Sequence, residues 1–269
     1  MATYLITGVS RGIGYGLLSN LSSNPENTVI GLARNQEATE EKVSKELGAQ
    51  RNVHILQADM TDYNSIVRVA KETEKITGGS LDYIIANAVA SETDACCKND
   101  RAENRKVLDD AFSYTMSTNV IGNVYLFTSL MPLVLKGKAK KIIAISSAVA
   151  DIELTRKYNL ELSPVYSASK AALNAIVAKF SAQYAKDGVL IMSICPGMVD
   201  THTLDYATDA QKQRFAGYLQ SLKPYAPHFT GPKTTESAVE DLLAIVGKSS
   251  VENGDGGSFV SQFGTKQWL

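Results

Sequence analysis

The 269-residue sequence is poor in the residues that build disulfide frameworks and metal sites. It has only three cysteines, two of them adjacent at Cys96 and Cys97, and this odd number cannot form a disulfide framework. Its three histidines lie far apart, and no histidine or cysteine stands at a metal-ligand spacing. We therefore expect reduced thiols and no bound metal.

The sequence also lacks an excess of either charge and lacks long apolar runs. Its 27 basic and 28 acidic residues give a formal net charge of −1, so there is no broad basic field to bind nucleic acid or anionic lipid. No apolar run reaches the about 20 residues that span a bilayer. The first strand-like segment begins at Thr3, which leaves no room for a signal peptide. We expect a cytoplasmic protein that binds neither nucleic acid nor a membrane.

Short apolar, β-branched segments alternate with longer amphipathic ones along the chain, a rhythm typical of βαβ units. This pattern predicts an α/β fold over residues 1–269: a single-domain, doubly wound sheet of about seven parallel strands with helices on both faces. The predicted strands are Tyr4–Ile6, Thr28–Ala33, Val53–Ala58, Tyr83–Ala86, Lys141–Ser146, Leu190–Cys195 and Ser258–Gln262. The predicted helices are Ile13–Ser22, Glu37–Leu47, Tyr63–Ile76, Arg101–Lys136, Tyr166–Ala185 and Glu236–Val246.

A glycine-rich segment follows the first predicted strand and leads into a helix. It reads Thr7-Gly8-Val9-Ser10-Arg11-Gly12-Ile13-Gly14. Glycines let the backbone turn tightly and approach a ligand, while the helix N-terminus presents free N–H groups and partial positive charge to a pyrophosphate. A bare turn is the alternative, but this spacing between a strand and a helix rarely arises by chance. We predict a dinucleotide site with contacts from Gly8, Ser10, Arg11, Gly12, Ile13 and Gly14.

The residues after the second predicted strand indicate which dinucleotide binds. NAD sites usually place an acidic residue about 20 positions past the glycines to hold the ribose 2′-hydroxyl. Here the stretch from Leu32 to Asn35 has no carboxylate, and Arg34 together with Arg11 can pair with a 2′-phosphate. We therefore expect NADP(H), the alternative being that both arginines are solvated surface residues.

Tyr166 and Lys170 lie four positions apart in a predicted helix, so their side chains share one face, one turn apart. This spacing is weak by itself, because chance alone produces such a pair. Three further polar residues give it context: Ser146 and Ser147 lie at the end of a predicted strand, and Asn119 lies in a preceding helical stretch. Together these residue types suit the reduction of a carbonyl.

Carbonyl reduction requires a proton on the oxygen as hydride reaches the carbon. A phenol with a pKa of about 10 holds its proton tightly, but the Lys170 ammonium and a positively charged nicotinamide would favour phenolate. Lowering the pKa by about three units requires roughly 4 kcal/mol. We predict Tyr166 as the general acid/base in the reversible reduction of a ketone or aldehyde to an alcohol, with Ser147 binding the substrate oxygen.

With these residues the chain resembles the short-chain dehydrogenase/reductase superfamily, which has a Rossmann fold, from Thr3 to its last residue. The resemblance implies Asn119, Ser147, Tyr166 and Lys170 as the catalytic set, with Lys170 also holding the nicotinamide ribose. It implies that Asn119 anchors a water in a proton relay. Ser147 is chosen over Ser146 because the family's serine lies three residues before a small residue, here Ala150. Further cofactor contacts implied by the resemblance are Asp59, Met60, Asn87, Ala88, Pro196, Gly197, Val199 and Thr201.

The sequence also departs from the family pattern. Ala86 and Val89 replace the first asparagine and the glycine of the family's NNAG element, so one sheet-bracing hydrogen bond is expected to be missing. The spacing from Ser147 to Tyr166 is longer than usual, and the ending after Gly257 is uncommon. These last two features resemble the sniffer-like carbonyl reductases and the fungal norsolorinic acid ketoreductase branch.

Two segments, 151–164 and 199–232, do not fit the alternation and follow carboxyl ends of strands, where such sheets bind ligands. We expect them to act as mobile flaps over a bulky, largely apolar carbonyl substrate. The apolar candidates on or beside them are Leu154, Tyr158, Leu160, Met198, Leu204, Tyr206, Phe215, Tyr218 and Phe229. Alternatively, these side chains only cover the sheet edge, and the cations Arg156 and Lys157 could bind a small acidic substrate instead.

Other functions and an assembly remain open at this point. A catalytically idle NADP(H)-binding protein, serving as a redox sensor or a scaffold, is the main alternative, and an enoyl reductase or a sugar epimerase on the same fold is a further one. Small residues on the Tyr166 helix offer a face for a homodimer, although the same residues can pack on the sheet instead. These residues are Ala171, Ala172, Ala175 and Ala178.

Overall fold

The structure, a computed structural model, describes residues 1–91, 105–201, 205 and 207–269. Its strands are β1 (Thr3–Thr7), β2 (Thr28–Ala33), β3 (Val53–Gln57), β4 (Tyr83–Ala86), β5 (Lys141–Ile145), β6 (Leu190–Cys195) and β7 (Phe259–Ser261). Its helices are α1 (Gly12–Ser22), α2 (Gln36–Leu47), α3 (Tyr63–Thr77), α4 (Arg105–Met116), α5 (Gly122–Val134), α6 (Ile152–Tyr158), α7 (Pro164–Tyr184), α8 (Asp209–Leu222) and α9 (Thr235–Lys248). One π-helical turn, Ser117–Ile121, joins α4 to α5.

The strands of the described residues form one seven-stranded sheet in the order β3-β2-β1-β4-β5-β6-β7. Every pairing in it is parallel. The chain first builds outward from β1 to β3 and then returns to continue from β4 on the other side of β1. This reversal opens a crevice at the carboxyl ends of β1 and β4, where doubly wound sheets bind ligands. The predicted fold class is therefore confirmed.

Apolar side chains cover both faces of the sheet, because successive strand residues point in opposite directions. On β1, Leu5 belongs to the core beneath α3, α5 and α7, whereas Ile6 belongs to the core beneath α1, α2 and α9. The same alternation holds on β4, where Ile84 faces the first core and Ile85 the second. Near-continuous apolar strands are the sequence pattern that this double burial requires.

The predicted element bounds differ from the structure at a few places with local causes. The long helix predicted over Arg101–Lys136 is interrupted by the π-helical turn, and its residues 101–104 lie outside the described residues. Helix α7 begins at Pro164, ahead of the predicted Tyr166, because proline is well suited to a first helical turn, where its missing N–H is not needed. Strand β5 ends at Ile145, so Ser146 leaves the sheet.

The two predicted flap segments contain helices α6 and α8, which the sequence analysis did not predict. Asp151 caps α6 by accepting the N–H groups of Glu153 and Leu154, and Thr208 caps α8. Their apolar residues pack into a third core with Trp268, which is only 1% exposed. The segments therefore pack on each other, on the chain after β7 and on Cys195 and Phe259 of the edge strands β6 and β7, apart from the two cores that cover the faces of the sheet.

No helix within the described ranges is long and apolar enough to cross a membrane. The same ranges hold no group of three or more histidine, cysteine, aspartate or glutamate side chains that could bind a metal ion. Cys195 is a free, buried thiol, and Cys96 and Cys97 lie outside the described residues.

Candidate active site

The glycine-rich turn after β1 is built so closely that side chains are excluded from it. Gly8 and Gly12 have positive φ angles of 74° and 57°. A Cβ on Gly8 would lie 2.9 Å from the Cα of Ala88, and one on Gly14 would collide with the carbonyl oxygen of Gly8. The Gly8 N–H donates to the Leu32 carbonyl oxygen at 2.9 Å. This turn leads into α1 and leaves the helix N-terminus open toward the crevice.

The end of β4 braces this turn through Thr7 and Asn87. The Thr7 Oγ1 accepts the backbone N–H groups of Asn87 at 2.9 Å and Ala88 at 2.8 Å. In return the Asn87 Nδ2 donates to the carbonyl oxygens of Thr7 at 3.0 Å and Gly8 at 3.3 Å. One asparagine thus ties β4 to the turn, while Ala86 contributes an apolar side chain to the core beneath α3, α5 and α7.

A cleft of about 330 Å³ opens at this edge of the sheet. Predicted site residues that line it are Gly8, Ser10, Arg11, Gly12, Ile13, Arg34, Asp59, Met60, Asn87, Ala88, Ser147, Tyr166, Lys170, Pro196, Gly197 and Thr201. Three predicted residues do not line it: Gly14 packs behind the turn, Asn119 is buried, and Val199 forms an isolated parallel bridge with Lys233.

The sequence analysis missed several lining residues: Thr7, Leu32, Ala33, Ala58, Val89, Tyr114, Thr118, Ile145 and Ser146. Most of them adjoin predicted residues, and their position next to strand ends was the available signal. Tyr114 is different, because nothing in its local sequence distinguishes it from other tyrosines of an amphipathic helix.

Cationic groups stand at the β2 side of the cleft. Arg34 follows β2 directly, and its Nη1 donates to the Tyr114 hydroxyl at 2.9 Å. Its carbonyl oxygen accepts from the Gln57 Nε2 at 3.3 Å. Arg11 lines the same cleft from the residue before α1. The two arginines of the predicted 2′-phosphate site therefore border one cleft.

Lys42 adds a third cation beside the glycine-rich turn, and sequence reasoning did not single it out. Its Nζ donates to the Ser10 carbonyl oxygen at 3.3 Å and lies 4.0 Å from the centroid of the Tyr15 ring. The predicted acidic contact Asp59 lies in a local turn, where its Oδ1 accepts from the N–H of Thr61 at 2.9 Å and from its hydroxyl at 2.8 Å.

The predicted catalytic side chains Ser147, Tyr166 and Lys170 come together where β5 meets α7. The Ser147 hydroxyl lies close enough to the Tyr166 phenol to lower the pKa of that phenol. The Lys170 Nζ lies 5.7 Å from the Tyr166 ring centroid and donates to the Ile145 carbonyl oxygen at 2.7 Å. In contrast, the Ser146 Oγ is buried and has no hydrogen-bond partner among the described residues.

Burial dominates the electrostatics of this group. It raises the pKa of Tyr166 to about 12, with Cys195 adding to the rise and the Ser147 hydrogen bond opposing it. Burial also lowers the pKa of Lys170 to about 8. The protein groups therefore keep the phenol protonated, and the prediction that Lys170 lowers the pKa of Tyr166 is wrong for these residues, because burial dominates.

Asn119 lies behind the cleft, in the π-helical turn, and all its polar groups are engaged. Its Oδ1 accepts from the Ala90 N–H at 2.8 Å, and its Nδ2 donates to the Ala90 carbonyl oxygen at 2.8 Å and to the Ser169 Oγ at 2.9 Å. Its own carbonyl oxygen accepts from the Asn123 Nδ2 at 2.7 Å. Asn119 thus ties the segment after β4 to α7, which carries Tyr166 and Lys170.

The chain after β6 closes the cleft from the other side. Gly197 has a φ of 78°, and a Cβ there would lie 2.9 Å from the side chain of Gln262. Thr201 lies against the glycine-rich turn, because a Cβ on Gly12 would be 3.3 Å from its Cγ2. The Cys195 thiol accepts the Ala148 N–H at 3.2 Å, and burial raises its pKa.

None of the predicted apolar flap residues that the structure describes lines the cleft. Leu154, Leu160 and their neighbours instead surround Trp268 in the third core, and Leu204 and Tyr206 lie outside the described residues. Tyr218 on α8 is the described flap residue with an electrostatic influence on Tyr166, whose pKa it helps to raise. Burial raises the pKa of Tyr218 itself to about 12.

Comparisons with known proteins agree with this geometry. The family model "short chain dehydrogenase" matches residues 2–212. The chain is 46% identical over 271 aligned residues to the short chain dehydrogenase virK of Hypocrea virens, with 100% of both chains covered. The chain belongs to the short-chain dehydrogenase family, which makes it an oxidoreductase with a fold that binds a nicotinamide cofactor.

Solved structures share the fold. The NADPH-bound carbonyl reductase from chicken fatty liver superposes with a TM-score of 0.77 at 23% identity, and 98% of each chain is covered. The carbonyl reductase Sniffer of D. melanogaster does so with a TM-score of 0.75 at 24% identity, also over 98% of each chain. These two structures show the shared fold, and the resemblance to the short-chain dehydrogenase family found in the sequence is confirmed by the family model and by virK.

Proposed function

We propose that this protein is an NADP(H)-dependent carbonyl reductase that reversibly reduces a ketone or aldehyde to an alcohol, with Tyr166 as general acid/base. One observation carries the proposal. Ser147, Tyr166 and Lys170 line the same cleft as the glycine-rich turn. A reacting carbonyl in that cleft meets an oxygen-binding group and a proton donor together.

The residues present fit a phosphorylated dinucleotide. The backbone of Gly8 and Gly12 lines the cleft at the α1 N-terminus, which suits a pyrophosphate, and the Arg11 and Arg34 side chains that line the same cleft suit a 2′-phosphate. The NADPH bound in the chicken carbonyl reductase structure supports the same choice. When bound, the nicotinamide supplies the hydride for reduction and accepts it in the reverse direction.

In this proposal the Ser147 hydroxyl binds the substrate oxygen and shares its developing negative charge. Tyr166 donates its phenolic proton to that oxygen as the carbon receives hydride, so the C=O bond becomes CH–OH. A pKa raised to about 12 keeps the phenol protonated at neutral pH, as a general acid for reduction must be. In the oxidative direction the same oxygen takes the proton back.

Lys170 returns a proton to Tyr166 between turnovers, receives its own proton from solvent through the water relay that Asn119 is predicted to anchor, and holds the nicotinamide ribose. Its pKa of about 8 lets the amine release and regain a proton near neutrality. Its Nζ donates to the Ile145 carbonyl oxygen and lies 5.7 Å from the centroid of the Tyr166 ring. Asn119 is the positioning residue behind both, through Ser169 on the same helix.

The remaining parts of the proposal concern substrate and assembly. We propose that residues 1–269 act as one domain. We also propose that segments 151–164 and 199–232 select a bulky, largely apolar carbonyl compound. Finally, we propose that two chains associate through α7. Exposed Ala175 and Ala178 give that helix a small-residue outer face. Light scattering on the purified protein tests the homodimer, and the cytoplasmic location stays a prediction from the sequence.

The deciding experiment is a panel of ketones, aldehydes and quinones assayed with NADPH and with NADH, following loss of reduced-cofactor absorbance. We expect turnover of several bulky carbonyl compounds with a clear preference for NADPH. Tight NADPH binding without turnover of any carbonyl would instead favour the idle redox sensor or scaffold.

A further inference from the structure

Tyr114 and Arg34 connect the two sides of the cleft. Arg34 follows β2, whereas Tyr114 belongs to α4, which comes after β4, and these two strands flank β1 in the sheet. The residues are 80 positions apart in sequence, yet the Arg34 Nη1 lies 2.9 Å from the Tyr114 hydroxyl oxygen. Both side chains line the cleft that the glycine-rich turn forms.

The hydrogen bond to Tyr114 orients the Arg34 guanidinium before any ligand binds. Arg34 is exposed, and a free guanidinium on a long side chain loses much rotamer entropy when a ligand orders it. Two contacts order Arg34: Gln57 holds its backbone carbonyl, and Tyr114 holds its guanidinium. A ligand that pairs with Arg34 therefore meets a group that is already oriented, which improves affinity.

The phenol also contributes a donor of its own. A tyrosine hydroxyl is both donor and acceptor, so the Tyr114 oxygen that accepts from Arg34 keeps its hydrogen available. Arginine N–H groups and a phenolic O–H then stand side by side at the rim of the cleft. Such a set of donors matches the oxygens of a phosphate monoester better than an uncharged ribose hydroxyl.

We propose that Tyr114 is a positioning residue for cofactor specificity: it orients the Arg34 guanidinium, and with it forms the recognition site for the 2′-phosphate of NADP(H). This inference rests on the proposed NADP(H) preference. It adds Tyr114, which lies on α4, to the predicted residues of the glycine-rich turn and of the end of β2. It also explains why a tyrosine stands on α4 with 42% of its surface exposed.

The test uses Tyr114→Phe, which removes the hydroxyl and keeps the ring, and two binding probes that need no catalysis, 2′,5′-ADP and 5′-AMP. Calorimetry should show that the variant weakens 2′,5′-ADP binding about five- to tenfold and leaves 5′-AMP unchanged. The KM for NADPH should rise by a similar factor at unchanged kcat. Tyr184→Phe, at the far end of α7 and outside the cleft, is the matched control.

A double substitution tests whether Tyr114 acts through Arg34. In the Arg34→Ala background, Tyr114→Phe should weaken 2′,5′-ADP binding by a smaller factor than in the unmodified protein, because the partner that it orients is gone and only the phenol's own donor is lost. An undiminished loss would show that Tyr114 does not act through Arg34. Tyr114→Ala also removes the ring and so tests whether the ring packs against the adenine. If it does, this variant should weaken the binding of both 2′,5′-ADP and 5′-AMP.

The outcomes distinguish this inference from the proposed function. If the unmodified protein binds 2′,5′-ADP no more tightly than 5′-AMP, both the proposed NADP(H) preference and the inference about Tyr114 are overturned. If it prefers 2′,5′-ADP but Tyr114→Phe keeps that preference, or weakens both probes equally, the inference alone is overturned.

Discussion

The indole Nε1 of Trp268 donates to the Asp151 Oδ2 at 2.9 Å, which joins the chain after β7 to the residue that caps α6. The backbone N–H of Trp268 donates to the Tyr225 hydroxyl at 2.6 Å, and the Trp268 ring stacks on Phe259 with centroids 4.5 Å apart. Trp268 thus binds both proposed substrate segments at once. This makes them one packed body rather than two independent flaps.

Trp268→Ala should therefore destabilise the protein. Removing a nearly fully buried tryptophan costs about 3–5 kcal/mol, which for a chain of this size lowers the Tm by roughly 5 to 9 °C. Thermal unfolding followed by circular dichroism measures the shift. Phe263→Ala, at a ring that is 54% exposed, is the control and should stay within about 0.5 kcal/mol. Equal shifts for both variants would mean that the contacts of Trp268 carry no special weight.

Tyr166→Phe should abolish catalysis and spare cofactor binding. The hydroxyl acts in the transition state, whereas the ring still fills its place, so kcat should fall about 100-fold or more. Single-wavelength assays with a good ketone give kcat, and NADPH fluorescence titration gives the dissociation constant. A variant that keeps more than about a tenth of the activity would assign the general acid to another group.

Arg34→Ala should weaken NADPH much more than NADH. The lost charge-assisted hydrogen bonds serve only the 2′-phosphate, so kcat/KM for NADPH should fall about tenfold or more while that for NADH changes little. Steady-state kinetics with both cofactors measures the ratio. Arg51→Ala, at an exposed arginine outside the cleft, is the matched control. Parallel losses with both cofactors would contradict a phosphate contact.

Asp82 should make stability depend on pH in the acid range. Burial by itself would raise its pKa, but hydrogen bonds from Thr3, Lys138 and Ala139 outweigh it and hold the pKa below the ordinary 3.8. A carboxyl with a lower pKa in the folded state stabilises the fold above the unfolded pKa, and this stabilisation is lost as pH falls through the folded pKa.

Asp82→Asn therefore tests this linkage. The variant should be less stable than the unmodified protein at pH 7, and the difference should shrink as the pH falls below about 4. Denaturant unfolding across this range measures it. A difference that stays constant with pH would show that the ionised carboxylate is not the stabilising form.

The local part of this protein could be predicted from the sequence. Alternating apolar and amphipathic segments predict the parallel sheet, because a strand that is buried on both faces is apolar along nearly its whole length. The glycines of the first turn and the pair Tyr166 and Lys170 are likewise short-range patterns, in which spacing alone determines which side chains meet. Sequence therefore predicted the fold class and most residues that line the cleft.

Tertiary structure decided the contacts between distant segments. Arg34 meets Tyr114 across 80 positions and Trp268 meets Asp151 across 117, and neither pair leaves a periodic signal in the sequence. Helices α6 and α8 escaped prediction for the same reason, since they pack on Trp268 and on each other. Burial likewise sets the pKa values of Tyr166 and Lys170, because desolvation depends on everything that surrounds a group and not on the residues beside it in the chain.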